Sequence, residues 1–246
     1  MNETLKLQHS HRSDRSFSDE PLSDAMLDAI IEAAYRAPTS INGQEISLVV
    51  VRDAERRARI SEIAGNQAWI AKVPVFITVV VDFNKTRLGV EAAGEQQIIQ
   101  ESLEGYTAGA LDAGIALANM MVAARSLGLG IVPIGGIRRN PQAMIDLLQL
   151  PPLTFPIAGI CIGHIAQPSS QKPRLPIGSF RHDEHYHPEA LPPAIAAYDA
   201  ILPDYWRSIG RADGLPWTQN IANFYKRVYY PDTWRVANKQ GFTIDK

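Results

Sequence analysis

The stretch AARSLGLGIVPIGGIRRNP, residues 123–141, contains the end of one helix, a complete strand and the start of the next helix. Upstream, residues 107–127 are rich in Ala and Met and stop at Gly128, where glycine accepts the left-handed conformation that ends helices. Gly130–Ile134 follows as a short β-branched strand, and Asn140-Pro141 supplies an N-cap and a first-turn proline. Farther along, residues 156–162 read as another buried strand. Toward the amino end, Ile46–Val51 and residues 73–81 are β-branched runs that flank a charged stretch of helical composition, 53–65. Leu22, Met26, Leu27, Ile30, Ile31 and Ala34 recur at helical spacing, with Ser23 as N-cap and Pro38 as terminator.

The bulk composition narrows the function classes. At 246 residues and 46% hydrophobic the chain can bury one large core, so a single domain over residues 1–246 is expected. A net charge of -2 leaves no basic excess to attract a nucleic-acid backbone. The segment 107–124 is apolar enough to suggest a membrane, but Asp112 and Asn119 within it predict a buried helix, with Asp112 a satisfied polar group rather than a base. The opening MNETLKLQHSHRSDRS lacks the apolar run of a signal peptide, and the single Cys161 sits in an apolar strand, so a cytoplasmic setting is expected. Of the 19 aromatic residues, 10 fall between Tyr198 and Phe242, and such a tail needs a surface to lie on. It reads either as part of the chain's own core or as an arm, residues 191–246, around a second subunit.

Four clusters can carry chemistry. His11, Arg12, Ser13 and Arg15 gather two guanidinium groups, an imidazole and a hydroxyl that can clamp a phosphate, before any regular structure is expected. Lys172-Pro173-Arg174-Leu175-Pro176 presents two more cations on a proline-stiffened backbone. Gly128, Gly130, Gly135 and Gly136 bracket the strand and let a bound ring approach the backbone, although the spacing is not a dinucleotide fingerprint. APTSINGQ, residues 37–44, is a loop of small polar side chains. Each alone also reads as an ordinary cap, turn or solvated surface. The His182, His185 and His187 triplet lies among Asp183, Glu184 and Pro188 and reads as a solvated loop, so no metal is expected.

In this order the clusters resemble the nitroreductase superfamily, specifically its oxygen-insensitive NADPH nitroreductases and NADPH-flavin oxidoreductases. HRSDRSFSDEPLS (11–23), APTSINGQ (37–44), AARSLGLGIVPIGGIRRNP (123–141) and PIAGICIGHIAQPSSQKPRLP (156–176) carry the resemblance nearly end to end. It implies an α+β fold, an antiparallel sheet flanked by helices, and a homodimer with FMN at the interface and a C-terminal arm embracing the partner. It places His11, Arg12, Ser13, Arg15, Lys172 and Arg174 around the FMN phosphate and ribityl chain. Gln67 then faces the pyrimidine edge, Pro133, Ile134, Gly135 and Gly136 line the ring, and Thr39, Ser40 and Asn42 come from the partner subunit.

Two departures from the family pattern bear on function. Pro133 stands where a tyrosine often precedes the Ile-Gly-Gly segment. Arg207 and Arg211, the expected readers of the coenzyme 2′-phosphate, are offset, with Arg138 and Arg139 as a second pair; preference for NADPH over NADH is therefore expected but weakened. The implied reaction passes electrons from the nicotinamide to the bound flavin and then from the flavin to small acceptors such as nitroaromatics, quinones or free flavin, in two half-reactions with no side-chain acid or base required. Two rivals stand beside it, a reductase that releases free reduced FMN and a non-catalytic flavin-binding regulator.

Overall fold

The computed structural model describes residues 1–245, which divide into two compact units, residues 1–169 with 230–245 and residues 170–229. In the first unit a helix, α1 (Glu3–His9), precedes the basic cluster, so regular structure begins earlier than the sequence suggested; Asn2 caps it. Helix α2 (Asp24–Tyr35) starts where Ser23 accepts the Met26 N–H. Strand β1 (Ile46–Val51) leads to α3 (Ala54–Ile63) and a short α4 (Ala68–Lys72), which the sequence reading did not separate. Then come β2 (Val75–Asp82), α5 (Phe83–Ala92) and the long α6 (Leu103–Ser126), followed by β3 (Gly130–Ile134), α7 (Pro141–Leu148) and β4 (Thr154–Gly163).

The four strands form an antiparallel sheet in the order β1-β2-β4-β3. Alternation along β2 sends Val75, Ile77, Val79 and Val81 to a core shared with α2 and α6, and Phe76 to a second core with α3, α4 and α7. A register shift at Val79/Val80 marks a bulge opposite residues 156–158 of β4. Cys161 is fully buried, and burial pushes its thiol well above its ordinary pKa, which fits the expected small hydrophobe. At Gly128 a φ of +79° ends α6 as expected.

Helix α6 is long and apolar enough to cross a membrane by length and composition, yet it packs on α2 and the sheet with Asp112 buried. The expectation of full burial holds for one face only. Leu103, Glu104, Thr107, Leu111, Gly114 and Ala118 line the other, an exposed stripe whose single charge, Glu104, lies in the first turn.

The aromatic tail divides. Helix α8 (Leu191–Ser208) and α9 (Trp217–Tyr225) lie in the second unit, whereas α10 (Asp232–Lys239) belongs to the first. There Val236, Ala237 and Phe242 enter the main core, and Phe242 meets Phe83, Tyr106 and Phe155 edge-on. The end of the tail therefore completes its own chain's core.

Candidate functional site

Segment 11–15 runs along the β3 edge of the sheet. Asp14 N–H donates to Ile131 O (2.9 Å), and Ser18 N–H to His164 O continues the attachment. Extended backbone alternates its side chains, so Asp14, 1% exposed, turns inward between Ser13 and Arg15. Its carboxylate accepts the Ser169 N–H (2.9 Å) and lies 3.4 Å from Arg12 Nε. Arg125 on α6 joins the group by donating to Ser10 Oγ (3.1 Å); burial, then the charge of Arg12, lowers its pKa against the pull of Asp14. Sequence reasoning counted the cations and missed Asp14 as their anchor, although a lone acid at an alternating position in HRSDRS was the available signal. His11 lines a shallow pocket of about 290 Å³ with Leu7, Met121 and Arg125.

The Arg15 guanidinium sits 5.5 Å over the Trp69 ring and donates to Ser13 O (3.1 Å). Gln67, just before α4, donates from Nε2 to Ala64 O (2.9 Å) and packs against Gly136. A methyl group on Gly136 would overlap the Gln67 amide and lie 2.7 Å from Ala64 O, so only glycine fits. Pro133 pairs with Ile160 on an edge strand, where a missing N–H costs no ladder bond. Ile134 gives its side chain to the core. Segment 11–15, Gln67 and residues 133–136 are thus brought together at the β3 edge.

Arg138 is occupied: it donates to the Ile157 carbonyl beside the bulge, and its guanidinium lies 5.7 Å over the Tyr230 ring. That leaves the exposed Arg139 as the available member of the second coenzyme pair.

Thr39, Ser40 and Asn42 lie elsewhere, on the loop that enters β1 at the opposite edge of the sheet. Two intervening strands separate the edges by about 14 Å, taking 4.8 Å per strand. Ile41, Asn42 and Gln44 all have positive φ, and Ile41 is 99% exposed. Such conformations cost about 1–3 kcal/mol each and persist only under outside constraint. The constraints are Thr39 Oγ1 accepting Gln44 N–H (3.0 Å), Asp112 accepting Ser40 N–H (2.8 Å), and Lys85 Nζ donating to Gln44 O (3.0 Å) and Ile46 O (2.9 Å). Asp112 is the satisfied buried acid expected; Glu45 and Lys85 were not foreseen.

In the second unit, Lys172 and Arg174 border an open cleft of about 500 Å³ with Gln171, Pro173, Ile201 and Tyr205. Arg174 donates to Lys172 O (3.1 Å), and Tyr198 Oη donates to Pro173 O (2.9 Å), which fixes the stiff segment from α8. Burial raises the Tyr198 phenol pKa, with Arg174 opposing. Trp206 separates two cations: Lys172 Nζ is 5.2 Å from its ring and the Arg211 guanidinium 5.0 Å. Arg207 pairs with Asp204 on its own helix, and Arg211 also lies 3.9 Å from Asp213. In the histidine loop, His182 Nδ1 accepts the His187 N–H.

The donors suit an anionic ligand with a planar, amide-like edge. Residues 9–164 match the model of the nitroreductase family, and residues 172–245 match the model of that family's C-terminal domain. The chain belongs to the nitroreductase family. Among its relatives, an FMN reductase [NAD(P)H] of Bacillus subtilis (strain 168) is 45% identical, with 100% of both chains covered. The solved structure of B. megaterium NfrA2 is 42% identical, covers all of both chains and superposes with a TM-score of 0.97. An NADPH:FMN oxidoreductase of Vibrio harveyi, solved in complex with NAD+, is 30% identical over 98% of this chain and 99% of that one, with a TM-score of 0.88. As in other members of the nitroreductase family, the fold is α+β with an antiparallel sheet flanked by helices.

Proposed function

We propose that this chain is an FMN-containing oxidoreductase that takes electrons from NADPH or NADH and delivers them to small acceptors such as nitroaromatics, quinones or free flavin. The observation that carries the reading is the face at the β3 edge: Gln67 packed on Gly136 beside Arg15 and Ser13. The relatives, an FMN reductase and an NADPH:FMN oxidoreductase, have the same chemistry in their names. When bound, FMN supplies hydride acceptance and release. The residues of the chain hold and orient it: His11, Arg12, Ser13, Arg15, Lys172 and Arg174 toward phosphate and ribityl chain, Gln67 toward the pyrimidine edge, and the backbone at 133–136 along the ring. Donors held in place there favour negative charge on the ring without rearranging.

The functional protein is a homodimer, and the chain acts as one catalytic domain; of the arm expected over residues 191–246, only 191–229 is left for the partner, because Val236, Ala237 and Phe242 enter the chain's own core. Two observations support the dimer. The loop with Thr39, Ser40 and Asn42 sits at the opposite sheet edge from Gln67 and Gly136, so a site using both needs two chains. The exposed stripe on α6, uncharged beyond Glu104 in its first turn and with Leu111 63% exposed, is a helix face of the kind a second copy covers. Coenzyme contacts fall to Arg211 and Arg207, of which Arg211 is the better held. Setting and partners follow as a cytoplasmic enzyme acting on small molecules.

The test is optical. The purified protein, reconstituted with FMN and freed of excess ligand, retains a flavin spectrum that NADPH or NADH bleaches in a stopped-flow mixer. A protein that stays colourless overturns the reading; one that is yellow but does not bleach is a flavin-binding regulator.

A further inference from the structure

The mechanism above leaves two buried acids unused. Glu45, 4% exposed, lies at the foot of the 39–44 loop, and Asp112, 3% exposed, lies on α6. Glu45 Oε2 is sealed from water and has no hydrogen-bond donor among the described residues. Its carboxyl faces that of Asp112, and a methyl group on Gly43 would lie only 2.6 Å from Glu45 Oε2, so the acid supports the loop from below. Asp112 in turn accepts the Ser40 N–H at 2.8 Å. Two carboxylates are both acceptors and cannot bond without a proton between them. Like charges buried this close do not both ionise at modest cost.

We infer that Glu45 and Asp112 share one proton, carried by Glu45 and donated to Asp112, and that this pair is the positioning device for the strained Thr39–Gln44 loop. Burial foremost, then the hydrogen bond and charge of Asp112, raise the Glu45 pKa; a bond from its own backbone and the charge of Lys85 oppose them. The other charged group at this corner, Asp82, is turned away to Ser47 Oγ and the first turn of α5. A pKa raised on folding stabilises the protein fully below the unfolded value and loses that contribution as pH rises through the folded value. Above it, the pair becomes two buried carboxylates, Asp112 is pushed from Ser40, and the positive-φ turn relaxes.

The inference rests on the flavin-site reading only for its consequence, and the test separates the two. Hydrogen exchange of the 39–44 backbone is followed in the FMN-loaded wild type and Glu45→Gln across about pH 5 to pH 9, corrected for intrinsic rates. Wild-type protection is expected to fall on the order of tenfold with rising pH, as when a charge-assisted bond is lost. Glu45→Gln, whose amide donates to Asp112 at every pH, stays protected. Carbon-13 carboxyl shifts of Glu45 in the wild type give an independent reading, with its titration expected at higher pH than that of the same residue in the unfolded chain. A wild-type profile retained in Glu45→Gln, or a Glu45 titration no higher than in the unfolded chain, overturns the pair. If exchange responds while FMN affinity does not, the pair stands and the loop's part in the flavin site falls.

Discussion

The two edges of the sheet achieve order by different means. At the β3 edge the chain covers itself: segment 11–15 is fastened by backbone bonds and a buried acid, and Gly136 packs against Gln67 without room for a methyl group. At the β1 edge the loop is exposed, carries three positive-φ residues that are not glycine, and is held by side-chain contacts from Asp112, Thr39 and Lys85. Backbone bonds, close packing and the buried Asp14 hold the first edge. Polar contacts make the second dependent on charge, and its exposed Ile41 waits for a surface that the chain itself does not provide.

The contrast can be broken most severely at Asp14. Asp14→Ala leaves the Ser169 amide and the Arg12 guanidinium without their acceptor, and a loss of roughly 3 kcal/mol is expected from urea unfolding, with loosened FMN. An unchanged midpoint would show that the amino-terminal segment is held by its backbone bonds alone. Gly136→Ala should cost about 1–3 kcal/mol through overpacking against Ala64 and Gln67, with loss of flavin retention. The comparable change at the other edge, Gly43→Ala, meets the Glu45 carboxyl at 2.6 Å but no backbone atom nearer than Ser40 O at 3.2 Å, so it should cost less and act through the Glu45–Asp112 pair; equal losses would erase the distinction between the edges.

Next in size come the cations. Arg15→Ala and Arg174→Ala are each expected to weaken FMN binding by about 1.5–3 kcal/mol, the range for a hydrogen bond to a charged group, read by flavin fluorescence. Unchanged dissociation constants would remove both from the phosphate site. The smallest effect concerns coenzyme choice, where wild type should favour NADPH by roughly tenfold to a hundredfold in kcat/KM. Arg211→Ala should lower that ratio and Arg207→Ala should change it less, since Arg207 is closely paired with Asp204, whereas Arg211 is held over Trp206 and meets Asp213 only at 3.9 Å. Equal specificity constants in the wild type would show that neither arginine reads the 2′-phosphate.

Much of the fold was legible because local rules decide it. Ser23, Gly128 and Asn140 mark helix ends by their own hydrogen bonds or φ, and the β-branched runs at 46–51 and 130–134 became strands with the bounds read from sequence. Helices α1, α4 and α5 escaped because short charged segments show no periodicity apart from what they pack on. The tail misled for a related reason: aromatic content predicts a need for burial but not against which surface, and Phe242 found its own core. At the candidate site the cations and glycines announced themselves by type. Asp14, Glu45 and Lys85 did not, because a single buried charge has meaning only through partners remote in sequence, Ser169 for Asp14 and Asp112 for Glu45.

The claim that the two edges meet only across two chains is tested most directly by subunit mixing. Arg15→Glu breaks the β3-edge half of the site and Ser40→Trp blocks the β1-edge half, so each homodimer should lose its flavin. Random exchange makes half of the dimers mixed, each with one intact site, so roughly a quarter of wild-type flavin binding should return. If mixed dimers form by mass spectrometry and no flavin binding returns, both halves of the site belong to one chain and the account is wrong.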